Sequence, residues 1–151
     1  MLQLNPNFLC GVTRFADKVR HESRVVIPIS LMEYDEIIWA IVDTGATYSI
    51  IAPNLAQDLG MHPETCQYET TLMTKWGRIK GQLCRIPVRI DTLKIEGQET
   101  NGIEFEPNFF IPDFSEPWED DLHFIGVHNF LFNIRFAIDP EDNLFFFGGP
   151  I

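Results

Sequence analysis

At 151 residues, with 45% hydrophobic and 13% aromatic side chains, the chain has the length and apolar content for one domain around one core. Its formal net charge of -11 and isoelectric point near 4.6 argue against a nucleic-acid or anionic-membrane partner, since both need basic patches. No apolar run approaches the length of a membrane span.

Residues 1–23 show no clear period and are expected to form an N-terminal arm ahead of a domain covering 24–151. Asn5-Pro6-Asn7 interrupts the only apolar stretch there before it could become the core of a signal peptide. The cysteines Cys10, Cys66 and Cys84 form no C-x-x-C pair and leave at least one thiol unpaired, which fits a reducing compartment. A cytoplasmic location is the expectation. Arg24 to Leu31 alternates as a strand, with Pro28 placing it at an edge or bulge, and Glu33-Tyr34-Asp35-Glu36 makes a polar turn.

Ile37-Ile38-Trp39-Ala40-Ile41-Val42 is rich in β-branched and aromatic residues and predicts a largely buried strand. It stops abruptly at Asp43-Thr44-Gly45-Ala46, so a carboxylate is delivered at the strand's tip. Gly45 lets the backbone turn sharply and approach another group closely. An ionisable Asp in such a place is costly unless paired, hydrogen-bonded or protonated, which makes Asp43 a candidate for chemistry. Tyr48 to Ile51 predicts a short second strand. Pro53 suits the first position of a helix, Leu55 and Leu59 share one face, and Gly60 suits its end.

Tyr68–Thr74 and Gln82–Ile90 predict two strands around a polar, glycine-bearing tip, Lys75-Trp76-Gly77-Arg78-Ile79-Lys80-Gly81. Val88 to Phe105 predicts another hairpin, turning within 94–97 or 101–102. An acidic stretch follows, punctuated by Pro107, Pro112 and Pro117, with no Lys or Arg between Glu104 and Asp121. It reads as a solvated loop, the sharper alternative being a rim that selects basic substrates. Leu122-His123-Phe124-Ile125-Gly126 places an apolar pair before a glycine. Phe136–Asp139 and Leu144–Gly148 predict a closing hairpin around Pro140-Glu141-Asp142-Asn143. Phe145, Phe146 and Phe147 cannot all face one side of a strand, so at least one is expected to point away from the chain's own core, where a second subunit could bury it, the alternative being that the same chain covers both faces.

Other chemistries find no support. His21, His62, His123 and His128 lack ligand spacing and read as structural or surface residues, so no metal is expected. There is no G-x-S-x-G, and Ser49 and Ser115 lie in ordinary contexts. Phosphate-cradling glycine loops are absent.

The run from Ala40 through Asp43-Thr44-Gly45-Ala46-Thr47 to Leu59-Gly60, followed much later by Leu122–Gly126, resembles the retropepsin-like aspartic proteases, the single-domain family that includes retroviral proteases. The resemblance covers about Val25 to Gly148 and is specific at its two ends. It implies an all-β fold: a small closed acid-protease-type β-barrel with one or two short helices. Asp43 would be the catalytic carboxylate, the Thr44 hydroxyl would brace paired loops, and the Gly45 N–H would reach the carboxylate. Ala46 matches the usual small residue, and Ile125-Gly126 would cross beneath the catalytic loop as structural support. The hairpin at Gly77 corresponds to the family's flap, with Trp76 and Arg78 best placed to shape peptide specificity. The loop occurs once, since Leu93 follows Asp91-Thr92, so the second carboxylate must come from another chain. The implied protein is a homodimeric aspartic endopeptidase with no cofactor. The competing expectation is a non-catalytic retropepsin-like module for dimerisation or peptide binding.

Overall fold

The computed structural model of the chain describes residues 11–14, 24–31, 34–61, 66, 68–93 and 102–149. Among these are twelve strands: β1 (Gly11–Arg14), β2 (Val26–Leu31), β3 (Ile37–Val42), β4 (Ser49–Ile50), β5 (Tyr68–Thr74), β6 (Gly77–Arg85), β7 (Val88–Ile90), β8 (Ile103–Phe105), β9 (Asn108–Pro112), β10 (Phe124–Ile125), β11 (Arg135–Asp139) and β12 (Leu144–Gly148). One short helix, α1 (Pro53–Asp58), and a 3-10 turn at Leu131–Asn133 complete the regular structure among the described residues. Pro53 opens α1, and Gly60 at φ 68° ends that segment, in the left-handed region that glycine enters without a Cβ penalty.

The class is all-β, but among the described residues the sheets do not close. Nine strands run in the order β5-β6-β9-β4-β10-β3-β2-β7-β8, leaving β5 and β8 as edges, and a separate three-stranded sheet has the order β1-β12-β11. The expected barrel is thereby corrected to an open nine-stranded sheet with a smaller one beside it. Part of the expected N-terminal arm supplies β1, whose residues Gly11 to Arg14 pair antiparallel with Phe147 to Leu144. At the level of Pro28, β2 is laddered only to β3, because β7 joins at Ser30 and Leu31. A residue without an N–H is tolerated there.

Strand β3 is half-buried, not largely buried as its composition predicts. Ile38 and Ala40 face the core, while Ile37 and Trp39 are 60% and 46% exposed. The β5–β6 hairpin also differs from expectation. Thr74 pairs with Gly77, so the turn is only Lys75-Trp76, and Ile79 to Gly81 belong to the strand.

The main core gathers Ile27, Ile29, Val88, Ile90, Phe109, Ile125, Phe130, Phe145 and Phe147, all essentially inaccessible. Burying each of these phenylalanines contributes roughly 1.5–3 kcal/mol. On the other face of β12, Leu144 and Phe146 pack with Val12 and against Leu93 and Ala137. The chain therefore covers both faces of β12 by itself, and the expectation that one phenylalanine is left for a second subunit is overturned. Strand β1 and the segment at Leu93 supply the cover that local sequence could not reveal.

Cys66 and Cys84 form a disulfide that ties the segment after α1 to β6. They lie 18 residues apart, and the absence of a C-x-x-C spacing gave no hint of the pairing. Cys10 lies outside the described residues.

Candidate active site

Strand β3 enters the site between β2 and β10. The Ile41 and Asp43 N–H groups donate to the carbonyls of His123 and Ile125, both at 2.9 Å, and the Val42 N–H donates to the Val25 carbonyl at 2.8 Å. The parallel pairing of β10 with β3 thus grips the chain up to the catalytic candidate itself.

Beyond that point the loop folds onto its own carboxylate. The Gly45 N–H donates to Asp43 Oδ1 at 2.9 Å, and the Ala46 N–H donates to the Asp43 carbonyl at 3.1 Å. A Cβ on Gly45 would stand 3.2 Å from Asp43 Oδ1, tighter than most real contacts, so glycine keeps this approach open. Asp43 is half-buried, whereas Thr44 and Gly45 are exposed.

The floor is rigid. The Val127 and His128 N–H groups donate to the Ala46 and Thr47 carbonyls at 2.9 and 2.8 Å. Gly126 lies so close beneath the loop that a Cβ would meet the Tyr48 carbonyl carbon and oxygen at 2.5 Å and the Ala46 oxygen at 2.8 Å. Its N–H donates to the buried Ser49 Oγ at 3.0 Å. Ser49 is a bracing residue that sequence reasoning passed over; a hydroxyl inside a two-residue strand directly after the Asp-Thr-Gly loop was the available signal.

His123, expected to be structural or at the surface, is structural, holding the start of α1 through a bond that its spacing did not reveal. It is only 5% exposed, and its Nδ1 accepts the Ala52 N–H at 3.1 Å just ahead of α1. Burial lowers its pKa to about 4, against the opposing pull of Asp121, so the imidazole is neutral at pH 7. A neutral acceptor is what the Ala52 N–H requires.

The structure brings Asp43, Thr44, Gly45, Ala46, Ile125 and Gly126 into one unit. Trp76 and Gly77 sit at the tip of the β5–β6 hairpin, where the Thr74 hydroxyl donates to the Gly77 carbonyl and accepts the Trp76 N–H. Gly77 has φ 99°. Trp76 meets Trp118 edge-on at 5.4 Å, and Trp118 meets Phe124 of β10 at 6.0 Å, so the tip is linked to the floor of the loop through aromatic contacts. Arg78 is exposed and alternates with the buried Ile79, which directs it away from that cluster. Among the described residues no group of three or more His, Cys, Asp or Glu side chains could hold a metal ion.

A family model for aspartyl proteases matches residues 29–107, more than half of the chain. Among solved structures, a retropepsin-like aspartic protease from Rickettsia conorii superposes with a TM-score of 0.54 at 21% identity, covering 89% of this chain and 95% of the other. The EIAV protease in complex with the inhibitor HBY-793 aligns at a TM-score of 0.44 and 14% identity, over 71% of this chain and 85% of that one. None of the curated proteins matches. The family match spans the Asp-Thr-Gly loop, and the superposition on the Rickettsia conorii structure extends the likeness to the fold: the chain belongs to the aspartyl protease family and has a fold similar to that of a retropepsin-like aspartic protease.

Proposed function

We propose that the protein is an aspartic endopeptidase, active as a homodimer in which each chain contributes one Asp43. The observation that carries this reading is the Asp43 carboxylate itself, oriented by the Gly45 N–H at the exposed end of a loop clamped from below by β10 and Gly126. The exposure of Thr44 and Gly45 supports a face-to-face meeting of two such loops. A single chain holds one Asp-Thr-Gly and so half of a dyad.

Two carboxylates brought within hydrogen-bonding distance cannot both ionise at reasonable cost, and they share one proton; this is the established behaviour of aspartic-protease dyads as a class. The ionised Asp43 takes a proton from a water held between the pair. That water attacks the scissile carbonyl carbon, while the protonated Asp43 of the other chain donates to the carbonyl oxygen as the tetrahedral species forms. Proton transfer to the leaving nitrogen then breaks the C–N bond. The flap hairpin would lie over an extended peptide and bind it through backbone hydrogen bonds, with Trp76 contacting its side chains and Arg78, on the opposite face, left out of that contact.

Asp43→Asn is the direct test. The amide is nearly isosteric and its oxygen can still accept the Gly45 N–H, so the fold is expected to persist while peptide cleavage is lost. An Asn variant that cuts at the wild-type rate would sink the mechanism.

A further inference from the structure

The acidic stretch that sequence treats as a solvated loop is built into the molecule at both ends. Pairing of β6 with β9 extends to Gly81 opposite Pro112. One more main-chain bond follows, from the Asp113 N–H to the Lys80 carbonyl at 2.9 Å, and then the ladder changes character. The Lys80 N–H donates to a side chain, Glu116 Oε1, at 3.1 Å. From Ile79 to Gly77 the strand is laddered only to β5. At its far end the stretch is fixed to α1 by a reciprocal pair: Asn54 Nδ2 donates to Asp121 Oδ1 at 2.9 Å, and the Asp121 N–H donates to Asn54 Oδ1 at 3.1 Å.

Trp118 stands between these anchors. Its indole N–H donates to the Leu122 carbonyl at 2.9 Å, which fixes the ring's orientation. The ring meets Phe124, adjacent to the Ile125 whose carbonyl holds Asp43, and it also meets Trp76 at the flap tip. It also packs against the cluster of Ile50, Ile79, Leu83 and Phe110, which includes the inward side chain of the otherwise unsupported strand.

We propose that Asp113–Leu122 is an arm that sets the position of the flap over the catalytic loop, with Trp118 as the positioning residue. Its catalytic consequence rests on the protease reading above. The carboxylate of Glu116 and the ring of Trp118 replace a third strand where the ladder ends, so the hairpin is held by side chains that it can leave and regain as peptide enters. A T-shaped aromatic pair of this kind biases the docked over the released hairpin by about three- to tenfold. Loosening the hairpin shifts the cost of ordering it onto substrate binding, so KM should rise more than kcat falls.

Hydrogen exchange on the whole protein without substrate tests the arm independently of catalysis. In Trp118→Ala the amides from Leu72 to Lys80 should exchange about three- to tenfold faster, with α1 and β12 unchanged, and Trp118→Phe should restore protection. Trp76→Ala removes the contact from the exposed side and should accelerate the same amides, which covers the case in which Trp118→Ala does not fold. Unchanged flap exchange, or acceleration spread evenly over the chain, overturns the proposal. With a peptide substrate, a fall in kcat at constant KM also counts against it. A wild-type protein that cleaves no peptide sinks the protease reading and leaves the exchange experiment to decide the arm.

Discussion

His123 and Asp43 sit at the two ends of the same β10–β3 contact, and His123 ties the stability of that contact to pH. Burial lowers its folded pKa to about 4 from 6.5. Above pH 6.5 it is neutral in both folded and unfolded states, and its full contribution to stability is present. As pH falls from 6.5 towards 4 the unfolded chain takes up the proton first and stability is lost, by about 3 kcal/mol at most. Thermal melts should therefore show Tm dropping across that interval. His123→Asn, whose Oδ1 stands where Nδ1 accepts the Ala52 N–H, should flatten the slope; the same slope in the variant would assign the loss to other groups. Asp43, Gly45 and the Ile125-Gly126 pair were legible in the sequence because each obeys a local rule of backbone and charge. Ser49 and His123 were not, since their partners lie 77 and 71 residues away.

The β5–β6 hairpin, proposed above as a flap, carries its own test at the scale of the element. Gly77 occupies φ 99°, and a Cβ there would meet nothing within 4 Å, so substitution strains the backbone without a clash. Gly77→Val should lower kcat/KM by about tenfold or more while Tm falls only a few degrees, roughly what 1 kcal/mol costs in a chain of this size. Comparable proportional losses in both would make this a purely structural hairpin. The strands themselves were readable where the signal is local: Pro53 and Gly60 bound α1, and Pro140 to Asn143 turn β11 into β12. Boundaries failed where a partner decides. Gly81 reads as part of a flexible tip, yet it faces Pro112 inside a ladder. Trp39 reads as buried, yet it lies on the uncovered face of β3.

For the whole molecule, sequence pattern gives the all-β class and the order of elements but not how strands distant in the chain meet. The β6–β9 and β4–β9 pairings, the pairing of β1 with β12 and the Cys66–Cys84 link all join segments whose proximity no periodicity encodes. The same limit left the triple phenylalanine of β12 undecided between a subunit interface and cover by its own chain, and the structure shows the latter. What remains is the symmetry argument: one Asp43 per chain, presented at an exposed loop. Mixing wild-type protein with a tenfold excess of Asp43→Asn, under conditions where subunits exchange, tests it most directly. If each active unit needs two intact chains, random pairing leaves about a tenth of the wild-type chains in fully competent pairs, and cleavage should fall to about that level. Cleavage that stays at the level of the wild-type protein alone would mean that one Asp43 suffices.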